Sequence, residues 1–167
     1  GEGIGEDPIY DQIQEQDKLQ HVLDNALEDY NETNVQMDLV LFNDAMRHIC
    51  KITRVINNPA GHALLVGVGG SGKQSLSRLA SHICGFTTMM IQISSTYGIN
   101  DLKGDLQTMY RKAGINQIGV AFLFTDNQIT NEKFLVYIND LLNSGYIADL
   151  YAPDEKDTVC NLSLIHI

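Results

Sequence analysis

The sequence lacks any apolar run long enough to cross a membrane. Runs such as Leu39 to Phe42 and Ala63 to Val66 fall far short of the roughly 20 apolar residues that a membrane-spanning helix needs. The amino terminus, Gly1-Glu2-Gly3, also lacks the basic start and apolar stretch of a secretory signal, and the chain lacks an initiator Met. We therefore expect no membrane span, and we expect an intracellular piece of a longer protein.

Basic residues are scarce. The chain contains 11 Lys and Arg residues against 21 Asp and Glu residues, which gives a formal net charge of -10. Because phosphate backbones are bound through basic surfaces, this balance argues against nucleic acid as a partner. The acidic excess is concentrated in residues 1–32, and the rest of the chain is almost neutral. With 44% apolar residues in 167, the chain is able to fill the core of about one domain.

Cysteine is also scarce, and histidine has no metal-type spacing. Cys50, Cys84 and Cys160 are odd in number and far apart, which fits neither a disulfide framework nor a zinc site. We expect reduced thiols in the cytoplasm. The five histidines never pair with another ligand-type residue at a recurrent metal spacing, so we assign no metal ligand to them.

Two amphipathic helices are predicted before any chemical motif. Residues 1–9 are predicted to be a linker, and residues 10–59 to form these helices, one over Tyr10 to Tyr30 and one over about Met37 to Ile56. Their apolar faces comprise Ile13, Leu19, Val22, Leu23, Ala26, Leu27 and Tyr30 in the first helix, and Phe42, Ala45, Met46, Ile49, Ile52 and Ile56 in the second.

Residues 60–156 alternate between strand-type and helix-type patterns. The predicted strands are Ala63 to Val66, Thr87 to Ile93 and Val120 to Thr125, the first of them buried on both faces. Alternation with short connections is typical of βαβ units, so we predict a three-layer α/β core with a parallel sheet. We find no fourth strand and treat residues 157–167 as a separate tail of undefined origin. The core is therefore expected to be truncated.

The intervening helices are predicted from apolar spacing and from residues that begin or end helices. Gly85 is placed to end the first, Asn100 or Asp101 to cap the second, Gly114 to stop it, and Asn131 to cap the third. The residues expected to face inward are Leu76, Leu79, Ala80 and Ile83 in the first, Leu102, Leu106, Met109, Tyr110 and Ala113 in the second, and Phe134, Leu135, Ile138, Leu141 and Leu142 in the third, which Gly145 follows.

A glycine-rich loop lies between the first predicted strand and its helix. Its sequence is Gly67-Val68-Gly69-Gly70-Ser71-Gly72-Lys73, which matches the P-loop spacing up to the lysine. Glycines let backbone amides converge on phosphate oxygens, and the helix that follows adds its unsatisfied N–H groups. Lys73 supplies the charge for the β and γ phosphates. We predict that this loop, with Gln74 and Ser75, binds a nucleotide; the alternative is a turn that binds nothing.

The residue after the lysine departs from the P-loop pattern. That position normally holds a Ser or Thr that binds Mg²⁺, whereas here it is Gln74, and Ser75 comes one residue late. One step along a helix rotates a side chain by about 100°, so Ser75 does not replace the missing hydroxyl. Gln74 offers an amide oxygen instead, which leaves Mg²⁺ retention open.

A second acidic element follows the last predicted strand. P-loop nucleotidases need an acid at a strand end to hold the water shell of the metal, and we predict this role for Asp126. The alternative is that Asp126 caps the next turn. Asn127 stands where many such enzymes carry a Glu base; it cannot accept a proton but can orient water. Glu132 is a weaker candidate for that base. These departures predict binding with slow or absent hydrolysis.

Five stretches carry a family resemblance. They are Asp29 to Asn31, Leu39 to Phe42 with Asp44, Ala45, His48 and Ile49, Gly67 to Ala80, Phe122 to Ile129, and Ile138 to Gly145. Together they resemble the dynein heavy chains, and within them the fourth AAA+ module of the motor ring. The likeness covers roughly residues 10–156. Gln74 and Asn127 look like the axonemal branch of that family.

The resemblance implies a P-loop AAA+ module that binds ATP or ADP in a microtubule motor for ciliary beating. It implies a location in the cytoplasm, the cytoskeleton and the ciliary axoneme. It also implies that the main hydrolytic site lies in another module, that this one is regulatory or structural, and that residues Met37 to Val40 line the adenine pocket. The implied partners are the neighbouring AAA+ modules of the same heavy chain, microtubules through the intact motor, and dynein light and intermediate chains indirectly.

Two alternatives stay open at this point. One is a working P-loop ATPase or kinase that uses Lys73 and Asp126, with Gln74 and Asn127 as adequate substitutes. The other is a structural block without nucleotide, in which the helix over residues 10–30 contacts a partner. Single-turnover hydrolysis separates the first from a weak catalyst, and nucleotide-dependent stabilisation separates the second from a binding module.

Overall fold

A computed structural model describes residues 16–67 and 72–164 of the chain. In chain order, the elements are α1 (Gln16–Thr33), α2 (Asn43–Ile56), α3 (Gly72–Ile83), β1 (Thr87–Met89), α4 (Ile99–Gly114), β2 (Val120–Phe122), a 3₁₀ turn (Asp126–Gln128), α5 (Lys133–Ser144) and α6 (Pro153–Leu164). The predicted linker over residues 1–9 and the start of the first predicted helix lie outside the described residues.

The first three helices share one hydrophobic cluster. Its buried members are Leu23, Tyr30, Leu41, Met46, Ile49, Ile52, Leu79 and Ala80. Residues from α1, α2 and α3 therefore bury one another, as their three- and four-residue apolar spacing predicts. Leu79 and Ala80 are fully buried. This cluster fixes the helix that begins at the glycine-rich loop, and it joins the predicted leading helices to that loop.

A second cluster lies under the strands. Its buried members are Ile91, Leu102, Leu106, Met109, Phe134, Ile147 and Leu150. They come from α4, α5 and the segments that follow β1 and α5. The strands β1 and β2 are parallel, with Thr87 opposite Val120 and Met89 opposite Phe122. A parallel pair connected through α4 confirms the predicted mixed α/β fold, and both strands are shorter than predicted.

The strand predicted at Ala63 to Val66 is wrong. These residues have no regular structure, and Leu64 and Val66 are 90% and 86% exposed. In the described part of the chain, β1 and β2 pair only with each other. A strand buried on both faces needs hydrogen-bonded neighbours as well as apolar side chains, and here none lies beside residues 63–66.

Two helix starts were also predicted wrongly. The second helix begins at Asn43 rather than near Met37, because Phe42 has an extended backbone and residues 36–42 form no regular structure. The N-cap of α4 is Gly98, not Asn100 or Asp101. Asp101 instead lies inside the first turn, where its Oδ2 accepts the Gly98 N–H at 2.8 Å. That contact is the reciprocal half of a capping box, so Asp101 stabilises the helix start from within.

The helix ends agree more closely with the sequence. Gly85, two residues after the end of α3, and Gly145, directly after α5, have positive φ angles of +72° and +67°. Left-handed backbone of this kind ends helices and favours glycine. The N-cap of α5 is Glu132 rather than the predicted Asn131, although Asn131 Oδ1 accepts the Lys133 N–H at 2.9 Å just before the helix. The predicted stop of α4 at Gly114 is confirmed.

Some residues predicted to face inward are exposed. They are Val22, Phe42, Ile83, Ala113, Leu135 and Leu142. Each extends an apolar stripe past the arc that a neighbouring helix covers, so the spacing rule includes them while the packing does not. Single exposed apolar residues are common on protein surfaces.

Cys50, Cys84 and Cys160 form no disulfide within residues 16–67 and 72–164. Burial raises the pKa of the Cys84 thiol, which favours its protonated and less reactive form. Over the described ranges, no helix combines the length and the apolar character that crossing a bilayer requires.

Candidate functional site

The phosphate side of the candidate site is the start of α3. The helix begins at Gly72, so Lys73, Gln74 and Ser75 all lie in its first turn. The Lys73 ammonium donates to the Gly67 carbonyl at 2.8 Å. This bond joins Gly67 and Lys73, the first and last residues of the glycine-rich sequence. Val68, Gly69, Gly70 and Ser71, which complete the predicted phosphate loop, lie outside the described residues.

A cleft of about 350 Å³ opens beside this helix start. Its lining residues are Tyr30, Val35, Gln36, Met37, Asp38, Gln74, Ser75 and Arg78. The cleft thus combines two predicted parts, the helix start at Gln74 and Ser75 and the segment at Met37. We call residues 35–38 the base-side segment. Val40, which the resemblance also places at the adenine pocket, is 78% exposed and does not line this cleft.

The base-side segment is held by α1. Asn31, in the last turn of that helix, accepts the Met37 N–H with its Oδ1 at 2.7 Å. Its Nδ2 donates to the Met37 carbonyl at 3.3 Å. One carboxamide therefore pairs with both backbone groups of a single residue. No sequence pattern pointed to Asn31 for this contact, since Asn31 is in a helix and Met37 lies six positions later in a segment without regular structure.

Arg78 forms another wall of the cleft. Its Nη2 lies 3.0 Å from Met90 Sδ, so α3 contacts the stretch that follows β1. Its Nε is buried and has no hydrogen-bond partner in the described part of the chain. Buried polar atoms normally have partners. Arg78 therefore lines the cleft together with Asp38 and Gln74, while its Nε is a buried donor without a partner among the described residues.

The acidic side of the candidate site is the 3₁₀ turn Asp126–Gln128, three residues after β2. Asp126 is exposed, and its Oδ1 accepts the Asn127 N–H at 3.0 Å. The Thr125 hydroxyl donates to Asn127 Oδ1. The predicted location of Asp126 after the strand is thus observed, while its predicted role remains a prediction. Glu132 is exposed just before α5, as its sequence position indicated.

Gln128, which was not among the predicted site residues, fixes this turn. Its side chain is buried, its Oε1 accepts the Thr125 N–H at 2.9 Å, and its Nε2 donates to the Ile91 carbonyl at 2.8 Å. Thr and Gln three residues apart match the capping-box spacing, so a signal was present. Arg78 contacts Met90 and Gln128 contacts Ile91. The phosphate and acidic sides therefore meet along two adjacent residues.

The oxygen donors of Asp126 and Gln74 are chemically suited to the predicted Mg²⁺ site. Mg²⁺ prefers hard oxygen ligands and retains several waters. Asp126 offers an exposed carboxylate whose contact with its neighbour uses one oxygen, and Gln74 offers an amide oxygen at the cleft. These are suitable oxygen donors, and neither is enclosed in a cage that would exclude water.

Comparison with known proteins gives consistent matches. Residues 37–164 match the family described as P-loop containing dynein motor region D4. The chain is 57% identical to the flagellar outer arm dynein alpha chain of Chlamydomonas reinhardtii over 93% of its length, which is 3% of that protein. It is 55% identical to the ciliary dynein beta chain of Tripneustes gratilla, over 94% of this chain and 4% of that protein. The corresponding values for human dynein axonemal heavy chain 9 are 52%, 94% and 4%.

Proposed function

Because the chain belongs to the dynein heavy chain family, through its P-loop motor region, we propose that it is an ATP-binding AAA+ module with weak or no hydrolysis of its own. The chain spans 3–4% of the length of the curated relatives it matches. Nucleotide binding in general follows from the P-loop family, whereas the choice of ATP or ADP, with Mg²⁺, is part of the proposal.

The observation that carries the proposal is the cleft at the start of α3. Lys73 is held across the loop by Gly67 at 2.8 Å, and the next two residues line the cleft. In the proposal, Lys73 binds the phosphates together with backbone N–H groups of Gly67 to Gly72, and the base lies against residues 35–38. Mg²⁺, when bound, neutralises phosphate charge, and Asp126 and Gln74 hold its water shell.

Weak hydrolysis is proposed from two residues. Asn127 cannot act as a general base, and its amide oxygen already accepts the Thr125 hydroxyl. Gln74 replaces the hydroxyl that normally binds the metal after the lysine. The polar side chains of Thr125, Asn127 and Gln128 at the acidic turn form hydrogen bonds within the fold. This arrangement favours a binding or regulatory role over rapid turnover.

The names of the relatives extend the proposal to the whole protein. They are flagellar outer arm, ciliary and axonemal heavy chains. We infer that this chain is the fourth module of a motor ring in the axoneme, part of the cytoskeleton. Residues 10–59 lead into the module and residues 60–156 form part of its core. Its direct partners are neighbouring modules of the same heavy chain; microtubules, and light and intermediate chains, are reached through the intact motor.

The test is nucleotide-dependent stabilisation of a polypeptide that carries the complete module. Binding at 100 times the dissociation constant stabilises a protein by about 2.7 kcal/mol. We expect a shift of this size with ATP or ADP by thermal unfolding, and its loss in Lys73→Ala. The matched control is Lys51→Ala, which removes an exposed lysine on α2.

The result of this test distinguishes nucleotide binding at the glycine-rich loop from binding elsewhere and from a structural block without nucleotide. A shift lost only in Lys73→Ala supports the proposal. A shift that survives Lys73→Ala places the nucleotide elsewhere, and no shift at all favours the nucleotide-free structural block.

A further inference from the structure

Two consecutive residues at the end of α1 contact α3. Asp29 Oδ2 lies 2.7 Å from His82 Nε2, and Tyr30 packs edge-on against the His82 ring at 5.3 Å between centroids. Tyr30 is buried in the first hydrophobic cluster. These contacts fix the last turn of α1 relative to α3, the helix that carries Lys73.

The next residue, Asn31, extends this attachment to the base-side segment. Its carboxamide pairs with the N–H and the carbonyl of Met37, at 2.7 and 3.3 Å. Asn offers one acceptor and one donor at this spacing, whereas Asp offers acceptors only. A chain of contacts therefore runs from α3 through His82 and the end of α1 to Met37. It sets where residues 35–38 lie relative to the helix start.

Resting on the proposed function, we infer that Asn31 is a positioning residue for the base of the bound nucleotide. Asn31 does not line the cleft, but Met37 and its neighbours Gln36 and Asp38 do. Because Asn31 occupies both backbone groups of Met37, the base meets the Met37 side chain and the flanking residues. Asn31 therefore controls affinity for the base, while Lys73 controls affinity for the phosphates.

This division predicts different responses to two ligands. Inorganic triphosphate carries the charge that Lys73 binds but has no base. Removing the Asn31 carboxamide releases residues 35–38 and weakens ATP binding by about tenfold, as expected for one pair of hydrogen bonds. It leaves inorganic triphosphate binding unchanged. A purely structural role for Asn31 would weaken both ligands together.

The experiment is photolabelling of the intact heavy chain with 8-azido-ATP, quantified on the tryptic peptide 19–47. That peptide contains the base-side segment and ends at Lys18 and Arg47 cleavage sites, so nucleotide sites elsewhere in the heavy chain do not contribute. ATP and inorganic triphosphate serve as competitors. The variants are Asn31→Ala, Lys73→Ala and the matched control Asn34→Ala, whose side chain contacts only the end of α1.

We expect Asn31→Ala to raise the half-protecting ATP concentration about tenfold without changing that of triphosphate, and Asn34→Ala to change neither. Equal weakening of both competitors, or no weakening, overturns the inference, as does absence of label in peptide 19–47 of the unaltered chain. If Asn31→Ala does not fold, Asn31→Asp, which keeps the acceptor, is expected to give a smaller loss for ATP alone. Unchanged protection by both competitors in Lys73→Ala overturns the proposed function instead.

Discussion

The phosphate side and the acidic side of the site differ in what their polar groups contact. On the phosphate side, Gln74 and Ser75 line an open cleft, and the buried Arg78 Nε has no partner among the described residues. On the acidic side, Asn127 accepts the Thr125 hydroxyl, and Gln128 uses both ends of its amide within the fold. The phosphate side thus lines an open cleft, whereas Thr125, Asn127 and Gln128 on the acidic side form hydrogen bonds within the fold.

Under the proposed function, this difference separates nucleotide binding from catalysis. Each side lies next to its own hydrophobic cluster, the phosphate side on α1, α2 and α3 and the acidic side over α4 and α5. The two sides meet at Met90 and Ile91, but each rests on a separate cluster, so we expect a change on one side to leave the cluster of the other side largely intact. The predictions below test that independence.

The largest expected effect is on the acidic side. Gln128→Ala leaves the Ile91 carbonyl and the Thr125 N–H without their partner, so we expect the free energy of unfolding to fall by about 2 kcal/mol. Urea denaturation of the 167-residue chain measures it. Gln92→Ala, a neighbouring exposed glutamine, is the control and should stay within about 0.5 kcal/mol. If Lys73→Ala destabilises the nucleotide-free chain as much as Gln128→Ala, the contrast between the two sides is lost.

A smaller effect is expected at Tyr97, which packs edge-on against Phe134 in the second cluster. Its hydroxyl donates to Asp105 Oδ2 at 2.5 Å, and we expect Tyr97→Phe to cost about 1 kcal/mol at pH 7. Burial, followed by the contact with Asp105, raises the pKa of Tyr97. Stability from a raised pKa is present below the unfolded value of about 10 and is lost as the pH rises further.

The free energy of unfolding of the unaltered chain should therefore fall more steeply above pH 10 than that of Tyr97→Phe. Denaturation curves collected across alkaline pH measure the two slopes. Parallel slopes would mean that ionisation of the Tyr97 hydroxyl does not change the free energy of unfolding.

The smallest expected effect is at Asp126. Its carboxylate is exposed and contacts only its neighbour in the described structure, so we expect Asp126→Ala to change stability by less than about 0.5 kcal/mol. Single-turnover hydrolysis by the complete module should stay near background in both forms. Turnover well above background that disappears in Asp126→Ala would instead identify a working ATPase.

The sequence predicted well those features that depend on local chemistry. The glycines after α3 and α5 follow from backbone rules that act over a few residues. The segment at residues 63–66 was predicted wrongly because a strand depends on neighbours that its own residues do not specify. Asn31 was missed for the same reason, since its contact spans a loop of irregular backbone.

The candidate site shows the same division. The positions of Lys73 and Asp126 in the fold were predictable from motif spacing, because a helix start and a strand end are fixed by short patterns. The cleft that joins Gln74 to residues 35–38 was not predictable from residue spacing, which does not report how α1 packs on α3. The family resemblance indicated that the Met37 region lines the adenine pocket, but it did not indicate which residues hold that region in place.

The burial of Leu79 and Ala80 has a mechanical consequence. Well-packed side chains do not slide freely past one another, and these two anchor the middle of α3 among α1 and α2. We therefore expect a displacement of the phosphate end of α3 to move the three helices as one unit.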